Sequence, residues 1–254
     1  MDLFIPPTYF ARFTSIPPAL DGKLDSVPWT LVPSTADFVD ITGDVSKPPR
    51  FRSRAKILFD AEYLYFGCEM QEPHVWANIT EKNSVIYWQN DWEIFVDPDG
   101  DGLNYYEFEI NALNTIWELT MDKPYNKGGH ATYPTNIEGL ISAVHVKGTI
   151  NDASDIDVGW NVEVAIPWAG LKKYNNPPTR STPPKNGDSW RINFSRVEWK
   201  FRIDEATREY HRIPDENRYD VHFEDNWSWA PQGEINMHIP EKWGYVQFLD
   251  DDDM

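Results

Sequence analysis

Cysteine occurs once in 254 residues, at Cys68, so no internal disulfide framework can staple this chain. Cys68 sits in an alternating run with Leu64, Phe66 and Met70 and is expected to be a small buried hydrophobe. Positive charge is also short: 23 Lys and Arg stand against 41 Asp and Glu, a formal net charge of −18. Such a chain repels phosphate backbones and anionic headgroups, which excludes nucleic acid and membrane surfaces as expected partners and admits neutral ligands and cations. No segment approaches the roughly 18 consecutive apolar residues of a membrane helix, so no membrane insertion is expected. Met1–Phe13 has no charged stretch followed by a long apolar one and does not read as a signal peptide. The six histidines lack zinc-type spacing, and P-loop, dinucleotide, Gly-x-Ser-x-Gly and His-Glu-x-x-His motifs are missing.

Aromatic residues are what the chain has in excess: 12 Trp, 12 Tyr and 13 Phe. Twelve tryptophans exceed what most cores of this size require, so some are expected at the surface or in a site, although any single one is as readily core. Short strand-like runs recur between Pro and Gly punctuation: 38–41, 51–59, 63–70, 92–97, 105–111, 114–120, 142–146, 160–166, 191–199, 209–212 and 245–248. One short helix is expected over Pro167–Lys173, a loop over 175–187 and a hairpin excursion over 200–219. The pattern predicts an all-β fold, an antiparallel, jelly-roll-like β-sandwich with short helices in loops. A single domain is expected over 1–254, with 1–18 as an extended arm and 249–254 as an acidic tail.

The informative stretch runs from Tyr87 to Asn114. Trp92, Ile94 and Val96 alternate with Glu93, Phe95 and Asp97; Tyr106, Phe108 and Ile110 alternate with Glu107, Glu109 and Asn111. Side chains of a strand point alternately to opposite faces, so one face is buried and the other presents carboxylates and a carboxamide beside Tyr87 and Trp88. Sugar rings carry C–H patches that aromatic faces cover and hydroxyls that carboxylates and amides bond, so this arrangement suits a saccharide.

Asp21-Gly-x-x-Asp25, Asn90-Asp-x-Glu-Ile-Phe-x-Asp97, Phe108-x-x-Asn111, Gly159-Trp-x-Val-Glu-x-Ala-Ile-Pro-Trp168 and Asp225-Asn-Trp-Ser-Trp-Ala-Pro231 occur in this order. Together they resemble the family 9 carbohydrate-binding modules over roughly residues 21–248. The resemblance implies non-catalytic binding of a neutral carbohydrate, a sugar or chain end held between two rings, with structural Ca²⁺ nearby. By position the first ring is Trp88 or Tyr87 and the second Trp229 or Trp227, with Glu93 and Asn111 bonding hydroxyls. Glu109 stands where such modules can carry Arg, and Ser195 and Arg196 stand where they can carry Gln, so the ligand is expected to differ from the usual one. The family further implies an extracytoplasmic setting and a separate glycan-degrading enzyme as working partner.

Asp97, Asp99 and Asp101 alternate ahead of Gly102 and offer hard oxygen ligands suited to Ca²⁺. The full EF-hand pattern fails, and a plain Asp-Gly hairpin turn explains the same residues. Two rival functions stand beside carbohydrate binding. One is a glycan-active enzyme using Glu93, Glu107 and Glu109 as acid and base. The other is haem-mediated electron transfer with Met70, Met121 or Met237 as ligand.

Overall fold

The computed structural model describes residues 5–175, 181–213 and 224–250. In chain order the strands are β1 (Thr8–Phe13), β2 (Val39–Asp40), β3 (Ser53–Phe59), β4 (Tyr63–Gln71) and β5 (Asp91–Asp97). They continue with β6 (Tyr105–Asn111), β7 (Ile116–Met121), β8 (Ala131–Thr132), β9 (Ile141–Lys147) and β10 (Gly159–Pro167). The last are β11 (Ser189–Glu198), β12 (Phe201–Ile203), β13 (Tyr210–Arg212), β14 (Asp225–Ser228) and β15 (Gly244–Leu249). Among the described residues the α-helices are one-turn pieces, α1 (Val27–Thr30) and α2 (Trp168–Leu171), and none is long or apolar enough to cross a membrane.

The strands form one curled sheet in the order β8-β7-β6-β5-β11-β15-β1-β3-β4-β10-β9, with β14 added against β11 and β2 against β14. The sheet folds over on itself as a sandwich. Between its layers lie Trp92, Ile94, Val96, Tyr106, Phe108, Ile110 and Phe194 from one side and Ile57, Leu64, Phe66, Cys68, Val162 and Val164 from the other. The Phe66 and Phe194 rings meet edge to face at 5.8 Å across the interface. The period-2 apolar set read from β5 and β6 is therefore the core face, and the turn at Asp60 closes β3 onto β4 with Asp60 Oδ1 accepting from the N–H groups of Glu62 and Tyr63.

One feature departs from expectation. Residues 8–13, expected within an arm, form β1, which runs parallel to both β15 and β3 and joins the two halves of the sheet. Its alternation is weak because Phe10 and Thr8 face solvent while Tyr9 and Ala11 pack inward. The excursion after Lys200 carries the two-stranded hairpin expected there, β12 with β13. Of the other expectations, the loop over 175–187 falls partly, the excursion over 200–219 partly and the acidic tail largely outside the described residues.

Candidate functional site

Behind the core face of β5, β6 and β7 lies a second layer of side chains that also ends up covered. Phe95, Tyr105, Trp117, Leu119, Met121, Met237 and Trp243 form an apolar cluster there. This cluster walls a cleft of about 350 Å³ whose polar lining includes Glu93, Glu107 and Glu109. Strand register places these carboxylates: Glu93 stands opposite Glu109 across β5–β6, Glu107 opposite Phe95, and Trp117 opposite Glu109 across β6–β7.

The rim is aromatic. Tyr87, in the 3-10 turn Ile86–Trp88, is 42% exposed and stacks on Trp117 at 6.1 Å with 26° between planes. Its backbone N–H donates to Glu109 Oε2 at 3.1 Å, so a floor carboxylate holds a rim residue in place. Tyr125 lines the cleft from the loop after β7, half exposed, and meets His238 edge to face at 4.6 Å. His238 Nδ1 lies 2.8 Å from Tyr105 Oη, and its Nε2 faces Glu107 Oε2 at 3.9 Å.

Burial governs the charges. Glu93 is pushed up to about 7 by loss of water, and Asp91, Glu107 and Glu109 are raised well above the usual carboxylate range, first by burial and next by the charge of Glu93. Burial also pulls His238 down to about 4.

Of the residues expected to hold a ligand, Tyr87, Glu93 and Glu109 meet in this cleft. The remaining five do not. Trp88 turns away into a neighbouring groove with Trp76, Gln89, Tyr210 and Arg212, and its carbonyl accepts from Arg212 Nη1. Trp227 and Trp229 are 2% and 4% exposed and belong to the core. Trp229 lies over Gly244, where an added Cβ would come within 2.3 Å of its ring, and Trp227 packs on Phe51 and the Arg196 guanidinium. Arg196 shares the core face with Phe194, two residues before it. There its guanidinium is fully buried and donates to Glu72, Glu198, Ser53 Oγ and the Gln71 carbonyl. Asn111 shares the face of Glu109 but sits at the strand's end, where its amide donates to the Ile79 carbonyl and its oxygen accepts from the N–H groups of Leu113 and Thr115.

Trp117, Tyr125 and His238 line the cleft without having been expected there. The alternation of Trp117 with Leu119 and Met121 could have shown the first. Tyr125 and His238 come from loops with no periodicity to read. The methionines weighed as haem ligands are dispersed: Met70 is in the main core, Met121 in the second apolar cluster and Met237 in the cleft wall.

The turn after β5 is closed by its own backbone. Asp97 Oδ1 and Oδ2 accept from the N–H groups of Gly100 and Gly102, both at 2.9 Å, and both glycines adopt positive φ. Oxygens of Asp97, Asp99 and Asp101 nevertheless lie within 4.8 Å of one another.

A family model described as carbohydrate family 9 binding domain-like matches residues 20–187. Exoglucanase XynX of Acetivibrio thermocellus is 26% identical over 158 residues, which cover 62% of this chain and 12% of that enzyme. The chain thus spans a small part of this curated relative. A family 9 carbohydrate-binding module of Caldicellulosiruptor kristjanssonii, solved with cellotriose, superposes with a TM-score of 0.57 at 16% identity over 97% of both chains. A structure from Bacteroides uniformis superposes with a TM-score of 0.62 at 16% identity, covering 96% of this chain and all of the other. At such identities the likeness is one of fold.

Proposed function

The chain belongs to the carbohydrate family 9 binding domain-like family, and from that premise we propose that it binds a neutral saccharide in the cleft under Tyr87 and Tyr125 without altering it. The observation that carries the reading is an exposed ring over a buried hydrogen-bonding floor: Tyr87 above Glu93, Glu107 and Glu109. A sugar face would lie on the phenol rings while its hydroxyls donate to the carboxylates. The solved relative bound to cellotriose supports a glucan or related chain end as ligand class. The matched exoglucanase, in which the similar stretch is 12% of one longer chain, supports a role alongside a glycan-degrading catalytic unit; an extracytoplasmic setting belongs to the same reading. Structural Ca²⁺ at Asp97, Asp99 and Asp101 belongs to the same reading, as an addition to a turn that already closes. The test is a glycan array followed by calorimetry on the hits. Saccharide binding weakened about tenfold in Tyr87→Ala, with no product formed on long incubation, supports the proposal; turnover of the bound glycan sinks it.

A further inference from the structure

Glu93 and Glu109 are directly opposed across β5–β6, and Asp91 lies two residues from Glu93 on the same face. Like charges in that relation repel, and a buried carboxylate without a partner is costly. All three are buried, at 5%, 2% and 0% exposure. Among the described residues lining the cleft there is no Lys or Arg. Arg196 commits its guanidinium to Glu72 and Glu198 on the opposite face of β11. His238, the remaining basic group beside the cleft, is held neutral by burial.

A second observation points to what is wanted there. Glu107 lies outside this trio, lines the same cleft at 4% exposure, and its Oε2 has no hydrogen-bond partner among the described residues. Neither does Asp91 Oδ2. These lone pairs answer to a positive centre. The spacing identifies its kind: one oxygen each from Asp91, Glu93 and Glu109 lies within 4.8 Å of the other two. Oxygens bound to a single Ca²⁺ at about 2.4 Å can be no more than about 4.8 Å apart.

We propose that Asp91, Glu93 and Glu109 bind a hard divalent cation of the size of Ca²⁺ where Glu93 and Glu109 line the cleft and Asp91 lies buried beside them. Such an ion takes about six to eight oxygens, so three carboxylates leave coordination positions open to the vicinal hydroxyls of a bound sugar. The role of the hydroxyls rests on the saccharide-binding reading above; the ion does not. Glu109 thereby has two tasks, as cation ligand and as acceptor for the Tyr87 N–H.

The test is Ca²⁺ calorimetry on the metal-stripped protein in an Asp99→Asn/Asp101→Asn background, which silences the exposed acidic turn. One site is expected, weakened at least tenfold by Glu109→Gln and by Glu93→Gln, both isosteric. Terbium at the same site should show luminescence sensitised by Trp117 and Tyr87. Absence of a binding heat, or Ca²⁺ binding unchanged in both variants, overturns the proposal. Saccharide affinity measured with and without chelator separates the two claims. A tenfold loss on chelation supports the ion as part of the sugar site, and chelator-insensitive saccharide binding without any Ca²⁺ heat overturns the ion while leaving the binding reading intact. Ca²⁺ bound with no saccharide recognised does the reverse.

Discussion

Tyr87 and Trp117 stack at 6.1 Å, the first half exposed on a 3-10 turn and the second buried on β7. The buried indole fixes the plane of the exposed phenol, so the rim ring is set before any ligand arrives, which lowers the ordering cost of binding. Tyr87→Ala should leave the melting temperature within a few degrees of wild type and weaken saccharide binding about tenfold, or ~1.4 kcal/mol. Calorimetry on the best array hit measures it; an unchanged Kd removes Tyr87 from the site.

Trp229 is part of the core, over Gly244 and beside Phe194. Trp229→Ala should therefore act on stability, by about 3–5 kcal/mol, as large-to-small changes in packed cores do. Denaturant unfolding reads this directly, and a fully stable variant with lost sugar binding would return Trp229 to the site.

Arg196 holds Glu72 and Glu198 in a fully buried cluster. Arg196→Ala leaves Glu72 without its cation and Glu198 with only the more distant Arg50 at 3.8 Å, and should cost roughly 3–5 kcal/mol. Arg196→Met in company with Glu72→Gln and Glu198→Gln should recover part of that loss, because the uncompensated charges go with it. In whatever fraction folds, saccharide affinity should match wild type; a selective loss of affinity at full stability would contradict the structural role.

His238 is neutral in the fold, with its ordinary value of 6.5 pulled down to about 4 by burial. Its neighbours are Tyr105, Tyr125 and Glu107. A lowered histidine costs nothing above pH 6.5, where both folded and unfolded forms are neutral. As pH falls from 6.5 to 4 the unfolded chain takes up the proton first and stability drops, by about 3 kcal/mol at the end of the window. The difference in unfolding free energy between wild type and His238→Phe should shift by that amount between pH 7 and pH 4. A pH-independent difference would mean that His238 titrates normally.

At the β5 turn, removing calcium should lower the melting temperature more in wild type than in Asp99→Asn/Asp101→Asn, since an ion bound only to the folded state stabilises it by mass action. Equal shifts would leave Asp97 with its turn alone.

Strand identity was legible in the order of residues because a two-residue period has one physical cause, burial of one face. Trp92, Ile94 and Val96, and Tyr106, Phe108 and Ile110, lie in the core as their alternation requires, and Glu93 and Glu109 fall on the other face for the same reason. Arg196 was equally legible, since it shares its face with Phe194, but a motif position outweighed the period. What alternation cannot state is what lies over the second face. The loops carrying Tyr125 and His238 cover the carboxylates and turn a presented surface into a cleft, while Gly244 opens the space that draws Trp229 inward. Those contacts join residues far apart in the chain, where no local pattern records them. Residue order dictates which side chains share a face, because the pleat has a period of two; long-range packing dictates which of those faces a ligand can reach.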